Sequence, residues 1–145
     1  MKLLEEINDD LKIMFNDHVH LNHVLKVIMS HYTTLLDKDQ LVPMTLPKMN
    51  SCSVIWAEKK DEVIGGVCFI KDNEHSTVNI ESIFYRNFSE FKDLYFYCHK
   101  HCEIYAKNEG VGYISTCFDI DNNEYTELID SVGMTKRFYI TSRKL

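Results

Sequence analysis

Glycine and proline are scarce in this chain of 145 residues, which has 5 Gly and 2 Pro. That excludes collagen-like and low-complexity architectures. Long apolar runs are also missing. The longest, residues 63–70, falls far short of the roughly 20 residues that span a bilayer. The opening Met1-Lys2-Leu3-Leu4-Glu5-Glu6 turns acidic at once, without the apolar centre of a secretory leader. Positive charge is in deficit, with 16 basic against 22 acidic side chains and a net charge of −6. General binders of nucleic acid or anionic membranes gather cations against phosphate, so neither partner is expected. The five cysteines (Cys52, Cys68, Cys98, Cys102, Cys117) are an odd set inside apolar segments, unlike a secreted disulfide framework. They are expected to be reduced and mostly buried. The expected location is the cytoplasm, or an assembly formed there such as a virion. The 13 Lys against 3 Arg fit an AT-rich coding source such as a low-GC bacterium or one of its phages.

What is present is 45% hydrophobic content, 12% of the chain being aromatic, enough for a core in one domain over residues 1–145. Residues 1–10 read as a helical turn or frayed lead-in. Leu11, Ile13 and Phe15 alternate as one face of a strand. Asn16 or Asp17 then caps a helix over 18–36, where Leu21, Val24, Leu25, Ile28, Tyr32 and Leu35 keep the helical period. Residues 37–50 hold both prolines and read as a loop with one short helical turn. Strands follow at 53–58, 63–70 and 77–85, joined by polar turns. Gly65-Gly66 marks a bulge or a close backbone approach. A helix over 87–108 ends at Gly110, and a strand over 111–118 is expected to pair in parallel with the strand ending at Tyr85. Asn122 or Asn123 caps a short helix closed by Gly133, and a last strand covers 134–141. The expected class is α+β, a mixed, mostly antiparallel sheet with helices on both faces.

This order resembles the GCN5-related N-acetyltransferase (GNAT) superfamily from about Leu11 onward. Trp56-Ala57-Glu58, a polar turn and Val63-Ile64-Gly65-Gly66-Val67 look like the family's second and third strands. Ile80-Glu81-Ser82-Ile83-Phe84-Tyr85 looks like the fourth, which leads into the cofactor loop. Asn122 through Gly133-Met134 resembles the family's asparagine, short helix and Gly-Phe.

The resemblance implies that acyl-coenzyme A lies where the fourth and fifth strands splay. Its pyrophosphate would sit on an Arg/Gln-x-x-Gly-x-Gly/Ala loop, whose small residues let bare backbone approach phosphate. The aligned residues here are Arg86-Asn87-Phe88-Ser89-Glu90-Phe91. Arg86 fits, and Ser89 replaces the first glycine. Phe91 replaces the second, and Glu90 adds a like charge, which at about 4 Å repels by about 1 kcal/mol in water and roughly 4 at a protein surface. The family's proton-donating tyrosine falls on Ile129, and Tyr125, one turn earlier, is the substitute acid only if the helix is shifted. Glu81 matches the position of a general base.

Two readings follow. In the first, the phosphate cradle is lost, no cofactor is expected, and the fold serves as a binding or structural component. It would meet a protein partner, or a second copy of itself, through a surface drawn from Phe84, Tyr85, Phe88, Phe91, Tyr95, Phe96, Tyr97 and Tyr105. In the alternative, the chain is an acetyl-CoA-dependent N-acyltransferase acting on a small amine or a protein amine. The thioester then lies along Ile83-Phe84-Tyr85, Arg86 and Ser89 hold the pyrophosphate beside Asn122, and the acceptor enters near residues 37–50. Two further clusters read as structural rather than metal-binding: Cys98-His99-Lys100-His101-Cys102, whose cysteines continue an apolar stripe, and His18, His20 and His23 at a helix start. No metal is expected.

Overall fold

The computed structural model describes residues 1–42, 46–119 and 121–134. Along them lie β1 (Lys2–Glu6), β2 (Leu11–Asn16), α1 (Asn22–Asp37), α2 (Leu46–Met49), β3 (Ser53–Lys59), β4 (Glu62–Asp72) and β5 (Thr77–Tyr85). After these come α3 (Phe88–Phe91), α4 (Tyr95–Asn108), β6 (Tyr113–Thr116) and α5 (Asn123–Ser131). The six strands form one sheet in sequence order. Short turns join β1 to β2, β3 to β4 and β4 to β5 as antiparallel neighbours. The α1–α2 segment returns the chain so that β3 runs antiparallel to β2, and the α3–α4 crossover makes β6 parallel to β5. This is the expected mixed α+β sheet with helices on both faces. The last expected strand lies outside the described residues.

β3 and β4 are buried almost throughout because helices cover them. Trp56, Phe69 and Phe84 fill the centre together with Ile13, Ile28 and Ile55. Gly66 is required by a close approach. A Cβ there would run into the carbonyl oxygen of Ile55 and lie 2.7 Å from the Cα of Trp56. A bulge lies beside it, since Ala57 pairs with Gly65 and Glu58 with Val63, leaving Ile64 as the extra residue.

Three expectations are corrected. Residues 1–10 are not a helical lead-in; they form edge strand β1 and a turn. Asn8 Oδ1 accepts from the N–H groups of Asp10 and Leu11, folding β1 back onto β2. Glu5 then binds Lys100 Nζ at 2.5 Å and His101 Nε2 at 3.1 Å, tying β1 to α4. The first helix begins at Asn22 after Leu21 with no side-chain cap; Asn16 ends β2, too far ahead to cap it, and donates to the carbonyl of His18. The expected 87–108 helix is two helices. The Leu94 N–H bonds Phe91 O at 2.8 Å, a tighter turn that separates α3 from α4.

Candidate active site

β5 and β6 are paired only from Thr77↔Tyr113 to Ile80↔Thr116, where Thr116 Oγ1 donates to Ile80 O at 3.0 Å. Beyond Ile80, β5 continues to Tyr85 without that partner, so the two strands part. The parting coincides with an irregularity on the other side of β5. Cys68 pairs with Ser82 and Phe69 with Ile80, which leaves Glu81 as an extra bulged residue. Bulges re-aim side chains, and they concentrate beside functional sites.

Glu81 is half-buried, and its carboxylate meets Lys48 Nζ of α2 at 2.9 Å. Next to it, Ser82 Oγ accepts a 2.9 Å bond from the hydroxyl of Tyr32 in α1. Both groups are buried. Burial pushes the Tyr32 hydroxyl well above its ordinary value, so it stays a donor.

One step further along β5 the carbonyl of Ile83 accepts a 2.5 Å hydrogen bond from the hydroxyl of Tyr125. His31 Nε2 of α1 lies 2.7 Å from the same hydroxyl. The hydroxyl has one proton, and given to Ile83 O it leaves only lone pairs, so Nε2 carries an N–H and donates to it. Desolvation first, and the charge of Lys38 second, lower the His31 pKa from 6.5 to about 4, against a backbone hydrogen bond at Tyr85. The ring is therefore neutral near pH 7. Desolvation raises Tyr125 far above the usual phenol value. Asn122 holds this arrangement in place by capping α5, its Oδ1 accepting from the N–H of Tyr125 at 3.0 Å. Tyr85 secures the other end by donating to Glu124 Oε1 at 2.6 Å.

Several sequence expectations concern this region. Ile83, Phe84 and Tyr85 are buried on β5 beside the parting. Ile129, at the family's tyrosine position, is a buried core residue. Tyr125, one turn before Ile129, reaches the backbone of β5 with its hydroxyl.

The loop after β5 also differs from its sequence reading. The ring of Phe91 does not occupy the loop. It is fully buried, stacks on Tyr85 with centroids 5.7 Å apart, and meets Tyr95 edge-on. The small residue it needs is Gly65, where a Cβ would sit 2.7 Å from the ring. The carboxylate of Glu90 pairs with Arg86 at 2.8 Å, but the same guanidinium also holds Glu62 at 2.5 Å, so one cation stands against two carboxylates. Asn87 caps α3, accepting from the Glu90 N–H and from Ser89 Oγ. The steric objection to a bound diphosphate is therefore weaker than the bare sequence implied, while the excess negative charge beside Arg86 remains.

The aromatic residues are mostly interior. Phe84, Tyr85, Phe91 and Tyr95 are buried, and Phe96 is the member of that group with a widely exposed ring. Cys98 and Cys102 are core residues with thiols raised by burial. His99 pairs with Glu103 at 3.1 Å, His20 with Asn50 at 2.6 Å, and His23 with Glu58 at 3.7 Å. No group of three metal-ligating side chains converges among the described residues. No helix among them is long and apolar enough to cross a membrane.

Sequence reasoning missed His31 and Lys48. His31 sits on the same apolar face as Ile28, Tyr32 and Leu35, and a histidine within such a stripe is the signal that was available.

No family model and no curated protein matches this chain. Solved structures do. The aminoglycoside N-acetyltransferase AAC(6')-Iy, solved with the bisubstrate analogue CoA-S-monomethyl-acetylneamine, superposes with TM-score 0.66 at 14% identity, over 93% of this chain and 98% of that one. The chain has the GNAT fold. A ribosomal-protein-alanine N-acetyltransferase from Brucella melitensis gives TM-score 0.67 at 9% identity, over 94% and 99% of the two chains. The aminoglycoside acetyltransferase meta-AAC0020, from an uncultured soil metagenomic sample, gives 0.61 at 15%, over 95% and 100%. The GNAT fold here thus spans the full length of its structural neighbours, and at these identities the likeness concerns the fold.

Proposed function

We propose that this GNAT-fold chain is an acetyl-CoA-dependent N-acyltransferase. The observation that carries the reading is the hydroxyl of Tyr125, which stands at the carbonyl of Ile83 in the parting of β5 and β6. A protonated phenol there supplies what Ile129 cannot, a donor for a departing thiolate, once its hydrogen bond turns from Ile83 O to the sulfur. Glu81, bulged from the same strand two residues away, is the carboxylate that takes a proton from the acceptor amine. The bound thioester supplies the activated acyl carbon. Arg86, Ser89 and the first N–H groups of α3 face its diphosphate, with Glu90 as a carboxylate that Arg86 must release. Neighbours of the same fold solved with coenzyme A and with a bisubstrate analogue support the same reading.

The test is calorimetric titration with acetyl-CoA, joined to a thiol-release assay with a panel of primary amines that includes an aminoglycoside and an alanine-terminated peptide. Micromolar binding and amine-dependent thiol release are expected. Absence of binding at millimolar concentration overturns the proposal.

A second reading, a GNAT-fold protein that has lost acyl transfer and acts as a binding component, is favoured by one fact. Tyr125 already occupies the carbonyl of Ile83, on the backbone along which a thioester would lie. In that case the titration with the parent chain is silent, and Tyr125→Phe, which frees the carbonyl, restores binding.

A further inference from the structure

The acceptor side of this site already contains an amine. Lys48 Nζ stands 2.9 Å from the carboxylate of Glu81, the group that would deprotonate an acceptor. The two ends of this pair differ in burial: the Glu81 side chain is 14% exposed and that of Lys48 50%. The carboxylate is thus set into the fold, and the lysine reaches to it from the short helix α2. An exposed lysine has many rotamers, and a surface ion pair by itself contributes little stability. What singles this pair out is where the carboxylate stands, on the bulge at which β5 leaves β6 and two residues before the Ile83–Tyr125 bond. The neighbouring nucleophile does not compete. Burial and Glu81 push the Cys52 thiol up to about 12, so it stays protonated.

We infer that Lys48 is an acyl acceptor of this chain itself, modified at Nζ by the site to which Glu81 and Tyr125 belong. This rests on the acyltransferase reading above. The atoms balance with an acetyl thioester as co-reactant. Glu81 takes one proton from the Lys48 ammonium, and the freed lone pair forms a C–N bond to the thioester carbonyl carbon. The C–S bond breaks, and the thiolate leaves with the proton of Tyr125. The second proton lost by nitrogen returns through water to Tyr125, and the proton on Glu81 passes to solvent. Acylation also removes the charge that pairs with Glu81, so the carboxylate is left free for an amine from outside.

The experiment is incubation of the full chain with acetyl-CoA alone, followed by intact mass and peptide mapping. A single acetyl group on Lys48, formed with release of one thiol per chain, is expected. Lys48→Arg abolishes it, and Glu81→Gln slows it at least tenfold while circular dichroism shows both variants folded. Acetylation of Lys48 no faster than that of the other exposed lysines overturns the inference, because simple reaction with the thioester in solution explains it. Transfer to an added amine with Lys48 unmodified overturns the inference and leaves the acyltransferase reading standing. Neither binding nor transfer overturns both.

Discussion

His31 and Tyr125 meet across 94 residues of chain, the imidazole Nε2 lying 2.7 Å from the phenol oxygen. The pair joins α1 to α5 over the far end of β5, where Ile83 pairs with Val67 of β4 and, among the described residues, with no strand on its other side. A buried carbonyl without a partner costs roughly 1–3 kcal/mol, so the phenol is structural as well as placed for chemistry. The same hydroxyl serves both purposes, and the variants below separate them.

Tyr125→Phe removes the hydroxyl and keeps the ring, which packs against Tyr85 and Phe118. It leaves Ile83 O and His31 Nε2 unpaired, and a stability loss of about 1–3 kcal/mol is expected in urea unfolding. Thiol release should fall about 100-fold or more in kcat, with a smaller change in the KM for acetyl-CoA. An unchanged kcat would remove Tyr125 from the proton-donor role.

Stability should depend on pH through His31. Its folded pKa of about 4 lies below the unfolded 6.5, so the unfolded chain takes up a proton first as pH falls. The contribution is whole above pH 6.5 and is lost as pH drops through the folded value, a total of about 3 kcal/mol. His31→Gln has no such titration. Unfolding midpoints of this variant, followed by circular dichroism, should vary less across that window than those of the parent chain.

Glu90→Ala frees the Arg86 guanidinium from one of its two carboxylates. The pair is exposed, so stability should change by less than about 1 kcal/mol. Affinity for coenzyme A should rise, with a steeper dependence on salt, because one more cation faces the diphosphate. Phe91→Gly is expected to act differently. The ring belongs to the core, and its loss should cost about 3–5 kcal/mol without improving coenzyme A binding. A gain in affinity from the Phe91 variant alone would show that the ring obstructs the loop.

Gly66→Ala tests the close approach of β3 and β4. The added methyl meets backbone at Ile55 and Trp56, which can move aside only with the centre of the sheet. A loss of about 3 kcal/mol is expected from the urea midpoint. Gly133→Ala, at a positive φ of 70° and with no atom of the described residues within 4 Å of the new Cβ, should cost only about 1 kcal/mol.

The order of strands and helices was legible in the sequence because periodicity is a local property. Leu11, Ile13 and Phe15 alternate, α1 repeats every three or four residues, and Asn122 announces the start of α5. The crossover between β5 and β6 made their parallel pairing legible as well. What the local pattern cannot carry is the direction of a side chain or the identity of a partner far along the chain. Phe91 lies at a loop position in sequence, yet it turns into the core because Gly65 leaves room for its ring. Residues 1–10 carry too weak a period to separate strand from helix, and the choice fell to Asn8 and to Glu5 against α4. The meetings of His31 with Tyr125 and of Lys48 with Glu81 join elements distant in sequence, so only the packed tertiary structure decided them.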